Sequence, residues 1–334
     1  MKVFLTGGTG FIGQQLVRTL VQHGWGVIAL IRNAESIEAK AIQTMGGELV
    51  HGDITDRESM RQSMMKADVL IHNAGWYEFG ISKTAQDRMQ IINVQGTKNT
   101  LGLAIELGIS KIVYVSSMLA YGDTGDTVAD ETFQRIAPPK SYYEQTKTEA
   151  HEYALQLQKD GAPVVIACPV AVIGPGDHSG LGYLVRMYVR GWFPPILFGA
   201  NGWRAHVHVD DAAEGIARCV ERGKAGESYI LSNGIMQHRD MFNLWKQTSG
   251  GMKLTLFYMP DSLGLLFNII AEPIERLFGL PIVFCREFAV AVFASWKFSA
   301  AKAERELGIH FRSVEQAFLD TLKAERTIAN RESL

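Results

Sequence analysis

Three groups of residues in this chain have types and spacings that could do chemistry. Tyr143 and Lys147 stand four apart in Ser141-Tyr142-Tyr143-Glu144-Gln145-Thr146-Lys147, so on a helix they share one face. An ammonium beside a phenol favours the phenolate and brings the phenol pKa down from about 10. That makes Tyr143 a proton donor and acceptor for use near neutral pH. Tyr142 meets only Thr146 at the same spacing, and a hydroxyl cannot tune it. Far upstream, Gly7, Gly10 and Gly13 stand at G-x-x-G-x-x-G spacing. Residues without side chains permit a tight turn, a close approach of a pyrophosphate, and close helix–strand packing. Between the two groups lies the pair Ser116-Ser117.

Each group needs an element to hold it. Val3-Phe4-Leu5 is a charge-free apolar run suited to a strand buried on both faces, and Phe11, Ile12, Leu16, Val17 and Leu20 then recur at helical spacing. The glycines therefore occupy a strand-to-helix turn, where the helix start offers free N–H groups and a positive dipole end to phosphates. Further strands are expected at 26–31, 48–50, 68–72, 111–115 and 164–168, alternating with helical segments at 57–65, 84–107 and from 141 onward. This alternation gives an α/β fold, a doubly wound parallel sheet with helices on both faces and right-handed crossovers. Inside 84–107, Asn93 and Gly96 lower helix stability, by up to about 1 kcal/mol for a glycine. A packing or hydrogen-bonding reason for them is expected.

Ligands of such sheets meet the carboxyl ends of the strands. The second strand ends at Arg32, with no acid before Glu35. A basic residue there suits the extra phosphate of NADP, whereas an acid binds ribose hydroxyls, so NADP is expected in preference to NAD. Asp53 has two readings, an acceptor for the adenine amino group or a helix cap for 55–57. Asn73, Ala74 and Gly75 would let the backbone approach the adenosine side.

Taken together, these pieces resemble the extended short-chain dehydrogenases/reductases of the NAD(P)-dependent epimerase/dehydratase family, over nearly the whole length. The matching segments are 6–13, Gly52-Asp53, 72–75, Asn93-Val94-x-Gly96-Thr97, Val115-Ser116-Ser117-x-x-x-Tyr121-Gly122, 143–147, Pro169-x-x-x-x-Gly174-Pro175-Gly176 and Val207-His208-Val209-Asp210-Asp211. The resemblance implies a Rossmann fold. It implies that Ser117, with Ser116 as the alternative, hydrogen-bonds the substrate oxygen, that Tyr143 exchanges its proton, and that Lys147 holds the nicotinamide ribose and tunes Tyr143. Cofactor contacts are implied at Gly7, Thr9, Gly10, Phe11, Ile12, Gly13, Arg32, Asp53, Ile54, Asn73, Ala74, Gly75, Asn93, Ser116, Tyr143, Lys147, Pro169 and Val172. A homodimer through the helices around 84–107 and 143–158 is implied as well.

Past Gly176 the regular alternation fades. Residues 1–176 are expected to form the dinucleotide-binding domain with the catalytic residues. Residues 177–334 are expected to form mainly a smaller mixed substrate lobe, with 207–222 crossing back. Helices are expected at 181–190, 299–307 and 314–321, and a Pro/aromatic loop at Trp192-Phe193-Pro194-Pro195.

Three comparisons within the family narrow the substrate. Dehydratases of this family carry an Asp-Glu pair after the catalytic Ser/Thr; here Met118 and Leu119 stand there and cannot move protons. Sugar-nucleotide enzymes place an arginine before the H-V-D-D segment; Arg204 matches, but the aspartate usual after it is Ala205. Their second arginine falls in register on Val290. Aromatic residues from Trp192 to Trp296 instead crowd the second half, and some of them are expected to line an apolar pocket. Trp76, Tyr77, Phe79, Met118 and Arg204 are expected to serve it. This has the character of the dihydroflavonol-reductase-like branch and implies reduction of a ketone or aldehyde on an apolar molecule. The rivals are a sugar-nucleotide epimerase and a non-catalytic NADP sensor.

The totals exclude other classes. The net charge of −2, without charged blocks, argues against nucleic acid. Cys168, Cys219 and Cys285 form no C-x-x-C pair, so neither a disulfide framework nor a zinc site is expected. His206 and His208 share a strand face, but no third ligand stands at useful spacing, so no metal is expected. The apolar stretches 263–271 and 288–296 fall short of the roughly 20 residues a membrane span needs. They read as buried helix faces or as pocket lining. No leader peptide is read before the first strand, and a reducing, cytoplasmic location is expected.

Overall fold

The computed structural model describes residues 1–193, 195–248, 257–278 and 284–332. Pro194 of the expected Pro/aromatic loop lies outside the described residues. Twelve strands occur in these residues: β1 (Lys2–Thr6), β2 (Gly26–Ile31), β3 (Glu48–His51), β4 (Val69–His72), β5 (Lys111–Val115), β6 (Val164–Pro169), β7 (Ala171–Ile173), β8 (Ile196–Leu197), β9 (Trp203–His208), β10 (Ser228–Leu231), β11 (Gly234–Gln237) and β12 (Phe257–Tyr258). Seven make a large sheet in the order β10-β6-β5-β4-β1-β2-β3, and every pair in it is parallel. This is the doubly wound Rossmann arrangement. Strand order reverses between β1 and β4, which opens a crevice at the carboxyl ends of those strands.

The strands are apolar on both faces because both are covered. Val3 and Leu5 face the helices Phe11–Gln22 and Val209–Glu221 through Leu16, Val17, Leu20, Ile216 and Ala217. Phe4 points the other way, into a core with Met60, Met64, Leu101, Ala104 and Ala150. A smaller mixed sheet, β11-β9-β7, and the two-stranded pair β12-β8 belong to the second half.

Several elements differ from expectation. The return to the large sheet runs past Arg222, because β10 pairs with β6 and supplies the seventh strand. The helix at 84–107 is interrupted by a π-helical turn, Ile91–Gln95, between Lys83–Gln90 and Gly96–Glu106. The last helix is longer than 314–321 and runs Val314–Glu332. The stretch 263–271 is not a buried face. It lies in helix Asp261–Leu277, where Leu263, Leu266, Ile269 and Ile270 are exposed. That helix packs through its small and polar stripe instead: Gly264 sits against Phe198, and buried Asn268 donates through Nδ2 to Gly264 O at 2.8 Å. Apolar residues normally mark the buried side of a helix, and here that pattern is inverted. No helix among the described residues is long and apolar enough to cross a membrane.

Candidate active site

The crevice opens into a cavity of about 960 Å³ shared by the large sheet and the second half. Of the residues expected at the cofactor, Gly7, Thr9, Gly10, Phe11, Ile12, Arg32, Asp53, Ile54, Asn73, Ala74, Gly75, Ser116, Tyr143, Pro169 and Val172 line it. Gly13, Asn93 and Lys147 do not line it.

The glycine turn fits a diphosphate. Gly7 has φ +72° and a Cβ there would stand 2.7 Å from the Ala74 backbone. A Cβ on Gly13 would lie 2.0 Å from Gly7 O. Gly10 starts the helix without a side-chain cap, so the leading amides remain at the cavity wall for an anion. The neighbouring loop is tied down by Asn73 Nδ2, which donates to Gly7 O at 3.2 Å. Asp53 makes a local turn, its Oδ1 accepting from Thr55 N at 2.8 Å, while Asp56 caps the following helix. Arg32 is exposed at the rim.

Tyr143 and Lys147 open helix Tyr142–Lys159, capped by Ser141 Oγ, which accepts from Glu144 N at 3.1 Å. Tyr143 is 9% exposed and reaches the cavity; Ser117 stands on the same wall at the start of a 3₁₀ turn. Burial pushes the Tyr143 phenol well above its usual range, the Tyr77 phenol adds to this, and a hydrogen bond with Ser117 opposes it. The expected lowering by Lys147 is not found. Lys147 is buried, its Nζ donates to Val115 O at 3.3 Å, and burial brings its own pKa down to about 8. Ser116 is turned away from this work, its hydroxyl held 2.9 Å from His151 Nδ1.

The rest of the cavity is largely apolar. Tyr77 crosses Tyr143 edge to face at 4.9 Å, and Trp76, Phe79, Met118, Phe267, Phe284 and Phe288 join the lining. Phe193 and Trp296 are instead core residues, and Trp192 and Phe257 are exposed. Arg204 reaches the cavity, with one Nη donating to Ala291 O at 2.6 Å. His208 caps a helix, its Nδ1 accepting from Asp210 N at 3.2 Å. His206 faces the cavity with its ring edge-on to Phe318 at 4.8 Å.

Several residues behind the site were not foreseen. His72 bridges Thr6 Oγ1 at 2.8 Å and Thr97 Oγ1 at 3.0 Å, joining β1, β4 and the helix after the π turn. Glu287 accepts from Tyr142 N and from Gly80 N, tying the second half to helix Tyr142–Lys159. These partners lie far apart in the chain, and no local pattern signals them. Glu144 was legible as the third residue after Ser141 in a capping pair; it also pairs with Arg135 at 2.7 Å.

The family model described as "NAD dependent epimerase/dehydratase family" matches residues 3–232. A protein of Synechocystis sp., provisionally named a dihydroflavonol 4-reductase, is 31% identical over 96% of this chain and 93% of its own. The 4-hydroxy-2-methyl-3-oxo-4-farnesyl-3,4-dihydroquinoline-1-oxide ketoreductase of Stigmatella aurantiaca is 28% identical over 97% and 96%. The crystal structure of gox2253 superposes with a TM-score of 0.81 at 29% identity, covering 98% of both chains.

Proposed function

Since the chain belongs to the NAD dependent epimerase/dehydratase family, as an extended short-chain, NAD(P)-dependent oxidoreductase, we propose that it reduces a ketone or aldehyde on an apolar small molecule, with NADPH preferred. The observation that carries this reading is the company Tyr143 and Ser117 keep. They share one cavity wall with the glycine turn, and the residues following Ser117 are the apolar Met118 and Leu119. A dehydration would need proton-moving groups there. The Stigmatella relative, a ketoreductase named for an oxo group on a farnesyl-bearing ring system, points the same way.

The glycine turn and the first amides of helix Phe11–Gln22 would hold the diphosphate, Asp53 and Ile54 the adenine side, and Arg32 the extra phosphate. When bound, the nicotinamide supplies the hydride. Tyr143 then gives its phenolic proton to the substrate oxygen. The raised pKa keeps that phenol protonated, the form a donor needs. Ser117 hydrogen-bonds the same oxygen and orients it. Lys147, held at Val115 O, would bind the ribose hydroxyls.

A second reading, a sugar-nucleotide epimerase, is favoured by Arg204 in the cavity. The two separate on purification. A reductase releases its cofactor and consumes added NADPH with a panel of apolar ketones and aldehydes. Tightly retained cofactor and no turnover with that panel would reject reduction.

A further inference from the structure

Strand β9 puts Arg204, His206 and His208 on one face, spaced about 7 Å apart as alternate residues. His208 is occupied as a helix cap. The other two reach the cavity at its substrate end, where His238, the first residue of helix His238–Thr248, joins them.

His206 is 1% exposed, yet neither ring nitrogen has a hydrogen-bond partner. A buried imidazole normally satisfies both, since each group left unpaired costs about 1–3 kcal/mol. Arg204 shows the same deficit. One Nη donates to Ala291 O, but its buried Nε has no acceptor and no carboxylate of the described residues lies within ion-pair distance. A guanidinium keeps its charge even when buried, so Arg204 is a cation with no ion-pair partner among the described residues, although Asp53 and Asp177 line the same cavity farther off. The two histidines add none. Burial, reinforced by Arg204, holds His206 and His238 neutral. His238 Nδ1 is already committed to Gly199 O at 2.8 Å.

We propose that Arg204 and His206 form an anion-binding subsite that takes the carboxylate of an otherwise apolar substrate. A single guanidinium balances one negative charge. Nε–H of Arg204 and one N–H of His206 are the donors a carboxylate would use, as charge-assisted bonds in a cavity with little competing water. A diphosphate would bring two charges to a site with one cation. The apolar lining from Phe267, Phe284 and Phe288 then suits the body of the molecule. The inference rests on the reductase reading only in placing a carbonyl at Tyr143; the anion subsite itself stands on Arg204 and His206.

Binding is therefore the test, measured by titration calorimetry on the full chain with NADP⁺ present. The probes are 4-phenylbutanoate and 4-phenylbutan-1-ol, which differ only in the group meant for the subsite. The carboxylate is expected to bind about tenfold tighter or more. Arg204→Met is expected to abolish that preference. It should also raise the melting temperature of the ligand-free chain, because an uncompensated charge has been removed; a merely structural arginine would lower it. His206→Leu is expected to weaken the carboxylate about tenfold and leave the alcohol unchanged, and it carries the test should Arg204→Met fail to fold. Equal binding of the two probes to the wild-type chain overturns the subsite, as does a preference that survives either variant. If the preference holds while no carbonyl substrate consumes NADPH, the subsite stands and the reductase reading falls.

Discussion

Asn93 grips Trp76 by both ends of its peptide: Oδ1 accepts from Trp76 N at 2.7 Å, and Nδ2 donates to Trp76 O at 3.0 Å. The same Nδ2 donates to Thr146 Oγ1 at 3.0 Å. One side chain thus ties the loop after β4 to helix Tyr142–Lys159. The π turn makes this possible, since an extra residue in the turn swings Asn93 out of the regular helical track. Asn93→Leu would strand these polar groups in a buried site, at a cost of about 2–4 kcal/mol. Urea unfolding measures this; a loss under about 0.5 kcal/mol would show that the clamp carries no weight.

The glycine turn makes a sharper prediction when set against an ordinary glycine. Gly13→Ala places a methyl 2.0 Å from Gly7 O, an atom of the backbone that cannot step aside. Gly108 has a positive φ of +70°, close to the +72° of Gly7, but nothing within 4 Å. Gly108→Ala is expected to cost about 1–2 kcal/mol in stability, from backbone strain alone, and to leave NADP(H) affinity unchanged. Gly13→Ala is expected to abolish that affinity, read by fluorescence titration. Equal cofactor affinity in the two variants would contradict the close-approach argument.

Tyr143→Phe keeps the ring that packs on Tyr77 and removes only the transferable proton. Turnover is expected to fall about 10²–10⁴-fold, while the dissociation constant for NADP⁺ stays within about threefold. Lys147→Met behaves otherwise. Lys147 is buried with no acid beside it and a pKa of about 8, depressed from its usual value, so its charge burdens the folded state below that pH. The variant should weaken the cofactor yet raise stability at pH 7 and leave it unchanged above about pH 10.5. Loss of stability at pH 7 would overturn this account of Lys147.

What could be read from the chain alone was whatever is local. Gly7, Gly10 and Gly13 lie within seven residues, Tyr143 and Lys147 within five, and strand β1 is a single apolar run. Three things were out of reach. The clamp from His72 to Thr97 spans 25 residues and the tie from Glu287 to Tyr142 spans 145, and such partners are set by topology. The exposed face of helix Asp261–Leu277 was illegible because the helix buries its small and polar positions, Gly264 and Asn268, and leaves leucines and isoleucines outside, the reverse of the usual pattern. The phenol of Tyr143 was read through its neighbour in sequence, Lys147. In three dimensions burial dominates, and Lys147 is engaged at Val115.

Arg32 stands exposed at the end of β2, on the rim of the cavity. If it holds the extra phosphate, Arg32→Ala should raise the dissociation constant for NADPH by about tenfold or more and leave that for NADH within about twofold. Parallel weakening of both cofactors would mean that Arg32 supports the fold of the rim; no change in either would mean that it is merely solvated.

Acid stability follows from histidines that the fold buries in the neutral form, His72, His151 and His238 among them. Burial, helped by the charge of Lys147, depresses His72 to about 3. Burial does the same to His151, with Lys147 and Arg135 adding to it, to about 4. In His238, burial and Arg204 bring the value to about 3. All three are lowered, so the unfolded chain binds these protons first as the pH falls. The stability they contribute is complete above about pH 6.5 and is lost progressively toward pH 3–4. Each adds about 1.4 kcal/mol per pH unit to the slope, and the three together about 4. His72→Gln is expected to lower overall stability and also to reduce that slope by one proton's worth between pH 6 and 4, as measured by denaturant unfolding across the range. A slope identical to that of the wild-type chain would show that His72 already takes up its proton in the folded state, and that the bridge between Thr6 and Thr97 tolerates a charge.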